Sequence, residues 1–399
     1  MFPIVLLLLA LGLGKAFAAA ELEEGDAVLP YNYTSGPYRP RPWTPQFENW
    51  YPGSDENLAR VSNGICNLTL RDYREAYAAP PASELGSKLN GICRRHQNCV
   101  LSRMSGGHQA DQSSATVVLG LIPTFLALLG PTVAEVSLLS AHRPVLAMLV
   151  VLGGPTFQVI TRLFDYTDPA DVLRADARRL RLPVLNRRNA ILISIAEYIA
   201  VFGACATTLY TCIEIGERTI LAWGCTVQFG PLIWALMAIV PQLMLATGYA
   251  IRTRNKDDDV GAHRSSKNAG TLESRSRLLG NPRDSNNHVH RISGFKDRLI
   301  RLGGSLWKSM QREATICARQ GLDTRVIQDV PRWIVFLNLA AEGMAYSLWA
   351  FGTAVFSSLL FLTVTNVFQD VLWRFVLAAV LCRMVTIIEL AGLRASIEA

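Results

Sequence analysis

Five apolar stretches, about 115–139, 190–212, 219–250, 333–364 and 371–391, are each long enough to cross a bilayer, which takes about 20 helical residues. No other feature constrains the fold so tightly. Half of the 399 residues are hydrophobic and only 18% are charged, against about 25% in a soluble domain. In lipid each backbone N–H and C=O must find its partner within the segment, so the crossings are helices. The fold class expected is all-α, a multi-pass transmembrane helical bundle with a small disulfide-stabilised N-terminal ectodomain. A sixth stretch, 144–160, contains Gly153-Gly154-Pro155 and is marginal in length, which predicts a re-entrant or interfacial segment. Pro231 and Pro241 are natural kink sites in the third stretch.

Charge sets the orientation. Nine Lys or Arg fall in 21–111, six Arg in the linker 163–189 and seventeen Lys or Arg in 251–332. Positive loops stay in the cytosol, so both later linkers are expected there. An external N-terminal part then requires an odd number of crossings between 115 and 162. Five crossings plus the marginal sixth segment meet that requirement and leave the C-terminus in the cytosol.

The N-terminus supports an external start. Residues 1–20 read as a signal peptide, with an apolar run over 4–13 and small residues around Ala16-Phe17-Ala18. Residues 21–114 form the expected lumenal or extracellular domain. It holds the sequons Asn32-Tyr33-Thr34 and Asn67-Leu68-Thr69, so Asn32 and Asn67 are expected to carry glycans. Its proline-rich run over 37–45 reads as a stiff spacer. A folded unit this small needs a cross-link, which predicts a disulfide from Cys66 to Cys93 or Cys99. Cys212 and Cys225, at facing outer ends of consecutive spans, are candidates for a second bond.

Residues 115–250 hold spans and the Arg-rich linker, 251–332 a cytosolic loop, and 333–399 the last spans and a short tail. Within the loop, 252–293 has almost no large apolar residue and reads as disordered. In 295–317, Phe295, Leu299, Leu302, Leu306 and Met310 recur at helical spacing with basic flanks. Such a helix lies on anionic lipid, and a calmodulin-like partner would read the same pattern.

Residues suited to catalysis are scarce. The acidic residues Asp165, Asp168 and Asp171 sit in a Pro-containing linker where solvation accounts for them, the histidines form no metal-ligand spacing, and no phosphate-binding glycine loop occurs. No catalytic residue, metal or cofactor is therefore expected, and no nucleic-acid partner. The informative polar residues lie inside the spans, where ionisable groups are costly and face a partner or a cavity. Counted at about 1.5 Å per residue, Glu197, Gln242, Glu342 and Arg383 share one depth, and Asn338 sits one turn from Glu342. The expectation is a structural Arg383–Glu342 ion pair completed by Glu197 and Gln242. A proton, ion or solute pathway is the alternative.

The run Gly120-Leu121-Ile122-Pro123-Thr124-Phe125-Leu126-Ala127-Leu128-Leu129-Gly130-Pro131-Thr132-Val133-Ala134-Glu135, then Arg143-Pro144, and Ile213-Glu214-Ile215-Gly216-Glu217-Arg218-Thr219-Ile220 resemble a family of uncharacterised multi-pass membrane proteins of filamentous fungi. The resemblance covers about half of the chain and implies fold and compartment, with no activity attached. The functional expectation is a non-enzymatic membrane protein of the plasma membrane or secretory pathway. A transporter or channel-like protein using the polar layer, serving metabolite export, comes second, and a membrane enzyme third.

Overall fold

The computed structural model describes residues 45–52, 54–79, 88–158, 187–225, 227–244, 317 and 332–398. The expected signal peptide, Asn32, most of the proline-rich run, most of the Arg-rich linker, and the expected cytosolic loop 251–332 apart from Cys317 and Arg332 lie outside the described residues, so what the sequence predicts there remains an expectation.

The described chain is mostly helical. An N-terminal cap comprises α1 (Asp55–Arg60), continued by a π-helical turn over Val61–Ile65, α2 (Asn67–Ala78) and α3 (Leu89–Arg103). Next come α4 (Gly106–Leu129), α5 (Val133–His142), α6 (Pro144–Gly153), α7 (Arg187–Arg218), β1 (Ile220–Leu221), α8 (Gly230–Met237), α9 (Arg332–Ser357) and β2 (Leu359–Leu360). A turn at Val364–Asn366 and a π-helical stretch over Val367–Leu372 lead into α10 (Trp373–Glu398). The two strands pair antiparallel, Ile220 opposite Leu360 and Leu221 opposite Leu359, a small exception to an otherwise all-α chain.

Three helical segments are long and apolar enough to cross a membrane: Gly106–Leu129, Arg188–Arg218 and Val364–Leu393. Each leaves large apolar side chains on its outer surface, among them Leu128, Phe202 and Val380. That is the pattern lipid contact calls for, because a helix bundle in lipid has no need to hide apolar groups. Trp349 of α9 donates its indole N–H to Thr124 Oγ1 of α4 at 3.1 Å, and Ser357 lies against Gly120, so α9 is antiparallel to α4. Gly352 of α9 lies against the Trp234 indole of α8, where a Cβ would clash. Trp234, fully buried, donates to Leu348 O at 3.1 Å and meets Phe356 edge-on.

Proline chemistry explains where the spans break. Gly130-Pro131 stops α4, and the expected 115–139 span is instead two helices, α4 and α5. Pro144 restricts Arg143 to a non-helical backbone, observed at φ −135° and ψ 73°, and so separates α5 from α6. With ten residues each, α5 and α6 extend only about 15 Å, too short for either to cross alone, and they fold into a hairpin. The 219–250 stretch opens with β1 and a loop before its helix. Ala238 interrupts that helix in a turn because Pro241 has no N–H for the Met237 carbonyl.

The cap packs directly onto one end of the bundle. Phe47, Trp50, Leu58, Leu70 and Tyr73 share a buried cluster with Ile220, Cys225 and Phe361, and Trp50 meets Phe361 edge-on with ring centroids 5.2 Å apart. Two disulfides hold it: Cys66–Cys99 within the cap and Cys93–Cys225 from α3 to the loop between α7 and α8. The Cys212–Cys225 bond expected from the sequence does not form. Cys212 is a free, buried thiol inside α7, while Cys225 sits beyond β1, under the cap.

Candidate functional site

The α5–α6 hairpin organises the polar interior. Its tip residue, Arg143, is fully buried and reaches two other helices. Nη1 donates to Glu197 Oε2 of α7 at 2.8 Å and to Glu389 Oε1 of α10 at 2.6 Å. Nη2 donates to Ser194 Oγ at 2.7 Å, and the guanidinium lies over the Tyr198 ring, 5.0 Å from its centroid. Ser194, Glu197 and Tyr198 recur at three- and four-residue spacing, so one face of α7 meets the arginine. The second oxygen of Glu389 accepts from the backbone N–H of Cys317 at 3.1 Å. Cys317, the last residue of the expected surface helix 295–317, is thus buried in the bundle core.

Two further contacts come from the same hairpin. Arg383 of α10 donates to Glu135 of α5, and Gln242 donates to Ser140 of α5. Glu135 also caps its own helix. Its carboxylate accepts from Thr132 N at 2.8 Å while Thr132 Oγ1 accepts from Glu135 N at 3.1 Å, the reciprocal arrangement that starts α5. The partner of Arg383 is therefore Glu135, not the Glu342 expected from shared depth. Asn338 and Glu342 lie on α9, which packs chiefly against α4 and α8, away from the Arg143 centre. Of the five expected polar-layer residues, Glu197, Gln242 and Arg383 each contact the hairpin. Arg143 and Glu389 escaped the sequence reading because they stand at the edges of apolar runs. An arginine between two apolar stretches, with no loop to solvate it, was the signal available.

Charge also gathers where the cap meets the bundle. Arg374 donates to Glu214, Arg218 Nε lies 3.7 Å from Glu214, and Asp370 is 4.0 Å from Arg374. Tyr51 of the cap is buried here with the Arg218 guanidinium over its ring. Among the described residues, no group of three or more His, Cys, Asp or Glu side chains is placed to hold a metal ion.

Within the cap, His96 is fully buried and lies edge-on to Phe47. Thr69 donates its hydroxyl to Cys66 O at 2.8 Å, so at 2.8 Å from His96 Nδ1 its oxygen accepts. The proton therefore sits on Nδ1, and Nε2 accepts from Ser62 at 3.0 Å. Burial, with the Arg74 charge adding to it, pushes the imidazole down to about 4 from its ordinary 6.5. Below pH 6.5 the unfolded chain takes up a proton that the folded cap refuses, so stability is complete above 6.5 and falls towards pH 4, by up to roughly 3 kcal/mol. Thermal unfolding across pH 7.5 to 4 should show this decline, and His96→Gln should flatten it.

No family model, curated protein or solved structure matches this chain.

Proposed function

We propose that this chain is a non-enzymatic, multi-pass membrane protein of the plasma membrane or secretory pathway, built to hold a folded cap rigidly on the outer face of a five-crossing bundle. One observation carries the reading: the Cys93–Cys225 bond ties the cap to an interhelical loop. Structural disulfides persist in oxidising compartments, so the cap and the 219–229 loop belong on the lumenal or extracellular side. The alternating directions of α4, α7, the α8 segment, α9 and α10 support five crossings, with the α5–α6 hairpin as the re-entrant element. This reading gives the basic loop 251–332 a cytosolic position, where an anionic lipid surface or a calmodulin-like partner is its proposed contact. Asn67 is exposed on the cap, in keeping with a glycan there.

Glycan mapping in cells tests the orientation. Asn67 should be modified, and a sequon engineered into 252–293 should not. Modification of the engineered site would overturn the topology. A transport role is the second reading, favoured by the buried Arg143–Glu197–Glu389 centre, and it would require that centre to reach water.

A further inference from the structure

Among the described residues, the Arg143 centre contains one cation for two carboxyl groups. Glu197 and Glu389 share Nη1 of the same arginine, their carboxylate oxygens 2.8 Å and 2.6 Å from it. Both are almost wholly buried, yet Glu197 Oε1 has no hydrogen-bond partner among the described residues. Two carboxylates are acceptors only, and the single charge of Arg143 offsets only one of them. Leaving a net negative charge in a low-dielectric interior is costly.

From this geometry we infer that Glu197 and Glu389 form a proton-binding site, holding one shared proton at neutral pH opposite Arg143. The proton makes one carboxyl a donor and brings the centre to net neutrality. The surrounding titratable and charged groups are Arg143 and His142 at the hairpin, Tyr198 on α7, the Arg383–Glu135 pair on α10 and α5, and the Cys317 thiol. Arg383 is already matched by Glu135, so Arg143 alone serves the two acids among the described residues. The inference stands on the packing of these groups and not on the number of crossings.

Infrared difference spectroscopy of the full chain in lipid nanodiscs, titrated from neutral to alkaline pH, reads the proton directly. The wild type should show a protonated-carboxyl band at neutral pH that disappears as pH rises, and thermal stability should fall from about pH 4.3, where the unfolded carboxyl titrates, until the band is lost. Glu197→Gln and Glu389→Gln, each imitating the protonated state, should lose the band, remain folded, and hold their melting temperature where the wild type declines. Absence of the band from the wild type at neutral pH overturns the inference without any variant. So does its persistence in either variant. A sodium-dependent rise in wild-type melting temperature at fixed pH, abolished by Glu197→Gln, would assign the site to a metal cation and contradict the proton.

Discussion

Arg143→Met should destabilise the folded protein by about 3 to 5 kcal/mol, the usual cost of stripping the partner from buried charges. The reason is specific to the hairpin tip: the substitution leaves Glu197 and Glu389 facing each other with Ser194 and the Cys317 N–H as the remaining donors. Arg143→Lys should recover only part of the loss, because a single ammonium cannot reproduce the planar fork that serves three side-chain acceptors. Adding Glu197→Gln and Glu389→Gln to Arg143→Met should recover more, since the charges requiring compensation are gone. Thermal unfolding in one detergent across the series is the measurement. Equal stability of Arg143→Met and the wild type would show that the centre does not hold the fold together.

Cys93→Ser should have an effect of similar size by a different route. Cys93 and Cys225 are 132 residues apart, against 33 for Cys66 and Cys99. Cross-linking the longer loop removes more freedom from the unfolded chain, about 5 against about 4 kcal/mol in the chain-entropy limit. Cys93→Ser should therefore lower the melting temperature more than Cys66→Ser, and should release the cap to proteolysis while the bundle stays intact. Cys212→Ser should change little, because Cys212 forms no bond.

Much of the helical architecture was legible because the period and length of apolar runs report burial in lipid. The shortness of the 144–160 segment was legible for the same reason: the ten residues of α6 fall well short of a crossing. Partner choice was not legible. Depth along the membrane orders residues in one dimension, and Glu342 satisfied it, yet α9 packs on α4 and α8 while Arg383 faces Glu135 on α5. Helix neighbours are decided by side-chain packing, such as Gly352 against Trp234, which sequence spacing does not expose. The Cys212–Cys225 pairing failed in the same way, whereas the Cys66 bond formed as expected. Cys212 and Cys225 looked adjacent by helix ends, but β1 carries the chain out of α7 and places Cys225 under the cap. The cap itself offered Cys66 two partners, and the choice of Cys99 follows from Cys93 turning to the bundle.

The covalent bond between the cap and the loop from α7 to α8 is what the proposed architecture cannot do without. Peptide mass mapping of the unreduced protein, extracted from membranes with free thiols blocked, reads that bond. Linked peptides containing Cys93 with Cys225 and Cys66 with Cys99, together with a blocked Cys212, are the expected result. A Cys212–Cys225 linkage, or Cys93 recovered as a blocked thiol, would contradict it.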